Sequence, residues 1–156
     1  MTESEARTRK ERIDARLRSS VLGWTLIRSD EVRDCSLLTR HAVEEYPTET
    51  GPADYALFVD GKLLGIIEAK KVSLGAENEL EQAKRYARGV PDTVGDWRGY
   101  RVPFLYSTNG ESIFHLDVRR KENASRLLAD FHSPRALLEK YRKDTETAER
   151  WFAQRP

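Results

Sequence analysis

Apolar and polar positions change period along this chain, and the changes mark its elements. Between residues 4 and 20 the apolar positions Ile13, Leu17 and Val21 recur every four residues among charges, the period of a helix with one buried stripe. Gly23 suits the stop of that helix. Trp24 to Ile27 is a short apolar run that predicts a strand. Residues 30–40 are ambiguous, with room for a short helix. His41 to Tyr46 predicts another strand, followed by a loop from Pro47 to Pro52.

The clearest pattern comes next. Tyr55-Ala56-Leu57-Phe58-Val59 and Leu63-Leu64-Gly65-Ile66-Ile67 flank Asp60-Gly61, which predicts a β-hairpin. Both runs are apolar on both faces, so these strands belong in the middle of a covered sheet. Ala76 to Arg88 predicts a helix that buries Leu80, Ala83 and Ala87 and stops at Gly89. Val102 to Ser107 and Ser112 to Leu116 predict two strands around a Thr108-Asn109-Gly110 turn. Ser133 reads as an N-cap with Pro134 at the first helical position. The helix it opens, over 133–154, has Leu138, Tyr141, Thr145, Ala148 and Phe152 on one stripe, which reads as core up to Trp151 and Phe152. A helix, a run of strands, a helix, two strands and a helix make an α/β domain, a central mixed β-sheet flanked by helices. The 156 residues are enough for one such domain spanning 1–156.

Charge changes this picture little. Lys and Arg total 27 against 26 Asp and Glu, so net charge says nothing about a nucleic-acid partner. The first helix is nevertheless basic, with Arg7, Arg9, Lys10, Arg12, Arg16 and Arg18 against Glu11 and Asp14. Such a run is first a solvated face and only second a surface for DNA or a partner. The single cysteine, Cys35, rules out an internal disulfide and a cysteine-based zinc site, and His41, His115 and His132 lack metal-ligand spacing. No apolar run reaches ~18 residues and no secretory apolar segment opens the chain, so a cytoplasmic protein without a membrane span is expected.

The chemistry lies at the ends of the hairpin. Asp54 opens its first strand, Glu68 closes the second, and Lys70 follows two residues later. Two carboxylates converging on one point suit Mg²⁺, which takes hard oxygen ligands and keeps waters for a substrate. The backbone carbonyl of Ala69, between the two side chains, is a further candidate ligand. A nearby Lys orients an attacking water or stabilises charge building on a phosphate. Phosphodiester hydrolysis needs this set of groups.

Strand parity tests whether they meet. Glu68 and Lys70 share a face because side chains alternate. A two-residue Asp60-Gly61 loop would pair Val59 with Lys62 and put Asp54 and Glu68 on opposite faces. A three-residue loop from Val59 to Gly61, with Gly61 left-handed, pairs Phe58 with Lys62 and puts both carboxylates on one face, diagonally about 7 Å apart. The chemistry therefore predicts the three-residue turn. A Glu-x-Lys triplet alone is an ordinary coincidence in a charged chain. Its place after a doubly apolar hairpin opened by Gly-x-x-Asp is what singles it out.

Gln82 and Tyr86 stand one helical turn apart beside the buried stripe of the second helix. An amide and a phenol there can hold a phosphate or position Lys70. Spacing alone leaves that role level with a solvated Gln and a Tyr at the core edge.

At these residues the sequence resembles the N-terminal PD-(D/E)xK nuclease domain of the restriction (R) subunit of type I restriction-modification enzymes. Gly51-Pro52-Ala53-Asp54-Tyr55 is similar to that family's first motif and Gly65-Ile66-Ile67-Glu68-Ala69-Lys70-Lys71 to its second. Gln82-Ala83-Lys84-Arg85-Tyr86 is similar to the Gln-x-x-x-Tyr motif of the same nuclease branch. Arg12-Ile13-Asp14 through Gly23-Trp24, Ser107-Thr108-Asn109-Gly110 and the Ser133-Pro134 stretch agree as well, so the likeness covers most of the chain. It implies a Mg²⁺-dependent endodeoxyribonuclease with Asp54, Glu68 and Lys70 catalytic, Asp54, Glu68 and the Ala69 carbonyl on the metal, and Gln82 and Tyr86 on substrate. Implied partners are DNA, a helicase region, and methyltransferase and specificity subunits.

In that family an ATP-driven helicase-like translocase follows the nuclease domain. This chain has no Gly-x-x-x-x-Gly-Lys-Ser/Thr phosphate loop, so no ATP site is expected in it. The expectation is either a piece of a longer subunit or a stand-alone relative. The alternative to an enzyme is a non-catalytic nuclease-like module that docks DNA or a partner; loss of Asp54, Glu68 or Lys70 would favour it, and all three are present. A nucleotide hydrolase using the same carboxylates would call for a phosphate-cradling glycine loop, which the chain lacks.

Overall fold

The computed structural model describes residues 3–70, 80–90, 94–122 and 124–153, with side chains over 6–143 of these. Its centre is one sheet of seven strands in the order β1 to β7: β1 Thr25–Arg28, β2 Arg40–Thr48, β3 Gly51–Val59, β4 Lys62–Ala69, β5 Phe104–Thr108, β6 Ile113–Asp117 and β7 Arg126–Leu128. The β1–β2 and β4–β5 pairs are parallel and the others antiparallel, so the sheet is mixed. The two strands with apolar residues on both faces, β3 and β4, are central. Each face is covered by helices because neither can be left to water.

Helix α2, Leu80–Arg88, lies on one face, where Leu80, Ala83 and Ala87 pack with Ala56, Phe58, Leu63, Ile66 and Leu105. Residues 76–79, expected to open it, lie outside the described residues. Helices α1, Glu3–Arg18, and α3, Pro134–Ala153, cover the other face. There Ile13, Leu17 and Leu137 pack with Leu57, Leu64, Ile67 and Tyr106. The domain is thus a mixed β-sheet flanked by helices, as expected.

The helix boundaries have local causes. Ser133 caps α3 through a 3.1 Å bond from the Ala136 amide to its hydroxyl. Gly23, at φ +74°, ends the α1 segment by donating its amide to the Ser19 carbonyl at 2.7 Å. α1 stops before Val21, which is exposed instead of continuing the stripe. In α3 it is Leu137 that is fully buried, while Leu138 is only half-buried. The side chains of Trp151 and Phe152 lie outside the described residues.

The ambiguous stretch holds two single-turn 3₁₀ helices, Ser29–Glu31 and Cys35–Leu37. The loop expected from Pro47 to Pro52 shrinks to a turn at Glu49 and Thr50, with Pro47 and Pro52 paired across β2 and β3. Both prolines are tolerated because the hairpin end has little ladder left to break. Strand β7 follows a polar stretch and is mostly exposed, so no apolar pattern marks it.

The hairpin turn also departs from the expected three-residue loop. Val59 pairs with Lys62, so the loop is the two-residue Asp60-Gly61 turn, with φ +50° and +76° at its two positions. The three-residue loop is not formed. The register shifts further along: Phe58 pairs with Leu63 but Leu57 with Gly65, leaving Leu64 as an extra residue in β4. This bulge turns Leu64 and Gly65 toward the same face. Gly65 fits because a Cβ there would meet the Leu57 side chain at 3.0 Å.

Candidate active site

The bulge decides the site. Beyond it Tyr55 pairs with Ile67, so alternation puts Asp54 and Glu68, the next residues on each strand, on one face. Parity is restored by Leu64 rather than by the turn, and the two carboxyls are near enough for the charge of Asp54 to act on Glu68. The Ala69 amide donates to Asp54 Oδ2 at 2.7 Å. Lys70 Nζ lies 3.2 Å from Glu68 Oε1, the i, i+2 neighbour on the same side of the chain. Asp54, Glu68, Ala69 and Lys70 therefore come together at one end of the central strands.

Their environments differ. Glu68 is 2% exposed, Asp54 is half-buried, and the Lys70 side chain is 29% exposed. Burial first, and then the charge of Asp54, push the Glu68 carboxyl up to about 8, against the pull of Lys70. Glu68 Oε1 has Lys70, whereas Glu68 Oε2 is buried without a hydrogen-bond partner. Among the described residues no three His, Cys, Asp or Glu side chains gather into a metal-holding group, so the two carboxylates stand as a pair.

On α2, Tyr86 is buried against the same face, and the Gln82 side-chain amide donates to its hydroxyl at 2.9 Å. Tyr86 thus belongs to the buried stripe rather than its flank, and the two side chains form a bonded pair on the helix covering the Glu68 face.

Two residues at the site carried no distinguishing signal in the sequence. Ser107, on β5, pairs with Glu68, is fully buried, and its hydroxyl has no hydrogen-bond partner. Nothing in its spacing announces that β5 runs parallel to β4 in that register. Glu45 interrupts β2 with φ +55° and, with Ala6, Arg9, Lys10, Asp54, Tyr55 and Ala69, lines a cavity of about 180 Å³ beside Asp54. Burial and then the charge of Asp54 raise its carboxyl above the usual range. The basic face of α1 borders this cavity, with Lys10 paired to Asp14 and Glu44.

Residues 36–141 match the family model of the second domain of the type I restriction enzyme EcoKI endonuclease subunit. The type I restriction enzyme EcoKI endonuclease subunit of Escherichia coli (strain K12) is 30% identical over 193 aligned positions, covering 92% of this chain. The chain spans only 16% of that protein's length. A solved fragment assigned to an HsdR subunit of a type I restriction enzyme from Vibrio vulnificus YJ016 is 28% identical, with a TM-score of 0.46, over 60% of this chain and 16% of that one.

Proposed function

The chain belongs to the endonuclease-subunit family of type I restriction enzymes, and from that membership we propose that it is a Mg²⁺-dependent DNA endonuclease domain of the PD-(D/E)xK kind. One observation carries this reading: Asp54, Glu68 and Lys70 converge at one end of the central hairpin, with Glu68 buried and one of its oxygens unpartnered.

The donor set fits a hard divalent cation. Glu68 Oε2 is a buried oxygen without a partner, and a cation would offset both the burial and the Asp54 charge that raise this carboxyl. Asp54, Glu68 and the Ala69 carbonyl would hold it. When bound, Mg²⁺ would polarise the scissile phosphate and make a water acidic enough to attack at neutral pH. Lys70, tied to Glu68 Oε1 and partly exposed, offers its ammonium to the charge that builds on the phosphate oxygens. Gln82 and Tyr86 offer an amide and a phenol to a neighbouring phosphate, being poor Mg²⁺ ligands beside two carboxylates.

Residues 1–156 then act as one nuclease domain, the cleavage module of a type I restriction enzyme R subunit or of a stand-alone relative. In the whole protein its partners are an ATP-driven helicase region and the methyltransferase and specificity subunits of a restriction complex. Nothing in the chain resembles an element that reads base edges, so cleavage is weak, without sequence preference, and falls steeply with salt. The test is conversion of supercoiled plasmid to nicked and linear forms in Mg²⁺. Conversion stopped by EDTA and by Glu68→Gln is expected. DNA binding without conversion would make the chain a non-catalytic docking module instead.

A further inference from the structure

Two buried oxygens at the site lack hydrogen-bond partners, and they belong to residues paired across adjacent strands. Glu68 on β4 and Ser107 on β5 are paired residues of a parallel ladder, so their side chains leave the sheet on the same face, on strands roughly 4.8 Å apart. Glu68 is 2% exposed and Ser107 0%, and neither Glu68 Oε2 nor Ser107 Oγ finds a protein partner. Both lie on the face covered by α2, because their i−2 neighbours Ile66 and Leu105 pack there with Leu80 and Ala83.

A buried hydroxyl without a partner is destabilising, and Ala would fill the same place in the strand. A serine is therefore explained by a third group that the two oxygens share. Resting on the nuclease reading above, we propose that Ser107 is a positioning residue of the metal site. With the cation bound, its hydroxyl would donate to the Glu68 carboxylate and so fix the orientation of Glu68. Lys70 holds Glu68 Oε1 from the open side, and Ser107 acts on the closed side, where no solvent reaches.

The test uses Ser107→Ala, which removes the hydroxyl, and Ser107→Cys, which keeps the volume but donates weakly and is a poor partner for a hard cation. Glu68→Gln is the control for the nuclease reading. Mg²⁺ alone is titrated while the midpoint of thermal unfolding is followed, and plasmid cleavage is measured in parallel. Without metal, both Ser107 variants should melt at or above the wild-type temperature. With metal, both should lose apparent Mg²⁺ affinity on the order of tenfold, and kcat should fall while KM for DNA holds. Wild-type Mg²⁺ affinity in Ser107→Ala overturns the proposal. So does full function in Ser107→Cys, which would reduce Ser107 to filler. A clearly lower metal-free melting temperature in both variants also overturns it, because the hydroxyl would then have a structural partner. If Glu68→Gln itself keeps full Mg²⁺ affinity, it is the nuclease reading that fails.

Discussion

The backbone amide of Ala69 donates a 2.7 Å hydrogen bond to Asp54 Oδ2, so the first carboxylate of the site is held by the strand that carries the second. Asp54→Asn keeps an oxygen to accept that bond and removes the charge. Plasmid cleavage is expected to fall to background. Glu68 should titrate at lower pH, since Asp54 is the main charge raising it. Cleavage assays with an NMR titration of the Glu68 carboxyl check both; retained cleavage would remove Asp54 from the machinery.

Lys70 follows β4, with its side chain partly exposed and its ammonium 3.2 Å from Glu68 Oε1. Lys70→Ala should lower the cleavage rate by about 100-fold or more, the usual loss when a group stabilising developing charge is deleted. The fold should persist, seen as an unchanged circular dichroism spectrum and cooperative melting. Cleavage at the wild-type rate would refute the role.

Tyr86 receives the Gln82 amide at 2.9 Å and is buried in the α2 face. Tyr86→Phe preserves the ring packing and leaves the half-buried amide without this acceptor, at a cost of about 1 kcal/mol or less. Nuclease activity should drop severalfold with a small change in melting temperature. A fully active variant would make the pair structural.

Burial and Asp54 raise Glu68 from 4.5 to about 8, so the folded chain binds a proton that the unfolded chain releases between those values. The resulting stability is fully present below pH 4.5 and is lost as pH rises through 8. Glu68→Gln cannot lose that proton. Without metal it should be more stable than wild type at pH 8 by at least ~1 kcal/mol, with the advantage shrinking toward pH 5. Chemical denaturation at the two pH values measures this, and equal stability at pH 8 would contradict it.

On the opposite face of the sheet, burial lowers His115 from 6.5 to about 3, so this ring stays neutral in the folded chain. Here the sign reverses: the contribution is present above pH 6.5 and is lost as pH falls from there toward 3. His115 stacks on Tyr106, whose hydroxyl bonds His132 Nδ1 at 2.6 Å, so a proton on His115 disturbs a packed aromatic cluster. Acid unfolding should therefore begin below pH 6, and His115→Gln should flatten the stability curve between pH 6 and 4. An unchanged slope in the variant would assign the acid sensitivity elsewhere.

Local chemistry was legible in the sequence wherever one segment carries its own instructions. Doubly apolar runs around Asp60-Gly61 determined the central hairpin, Ser133-Pro134 the start of α3, and Leu80, Ala83 and Ala87 the buried stripe of α2. Asp54, Glu68 and Lys70 could be named from their places at the ends of the apolar runs, although β3 begins at Gly51 and so carries Asp54 inside the strand instead of opening with it. Relations between segments were not legible. Alternation fixes which residues of one strand share a face, but the face shared with a neighbouring strand depends on register, and one extra residue reverses it. Parity required such a residue between Asp54 and Glu68, and only packing could place it. The type I′ geometry of Asp60-Gly61 matches the strand twist, while Gly65 yields space to Leu57, so the extra residue is Leu64 and not a turn residue. Ser107 reaches Glu68 through a parallel pairing of strands nearly forty residues apart. No periodicity within either segment encodes that contact, because it is decided by how the covered sheet closes around its core.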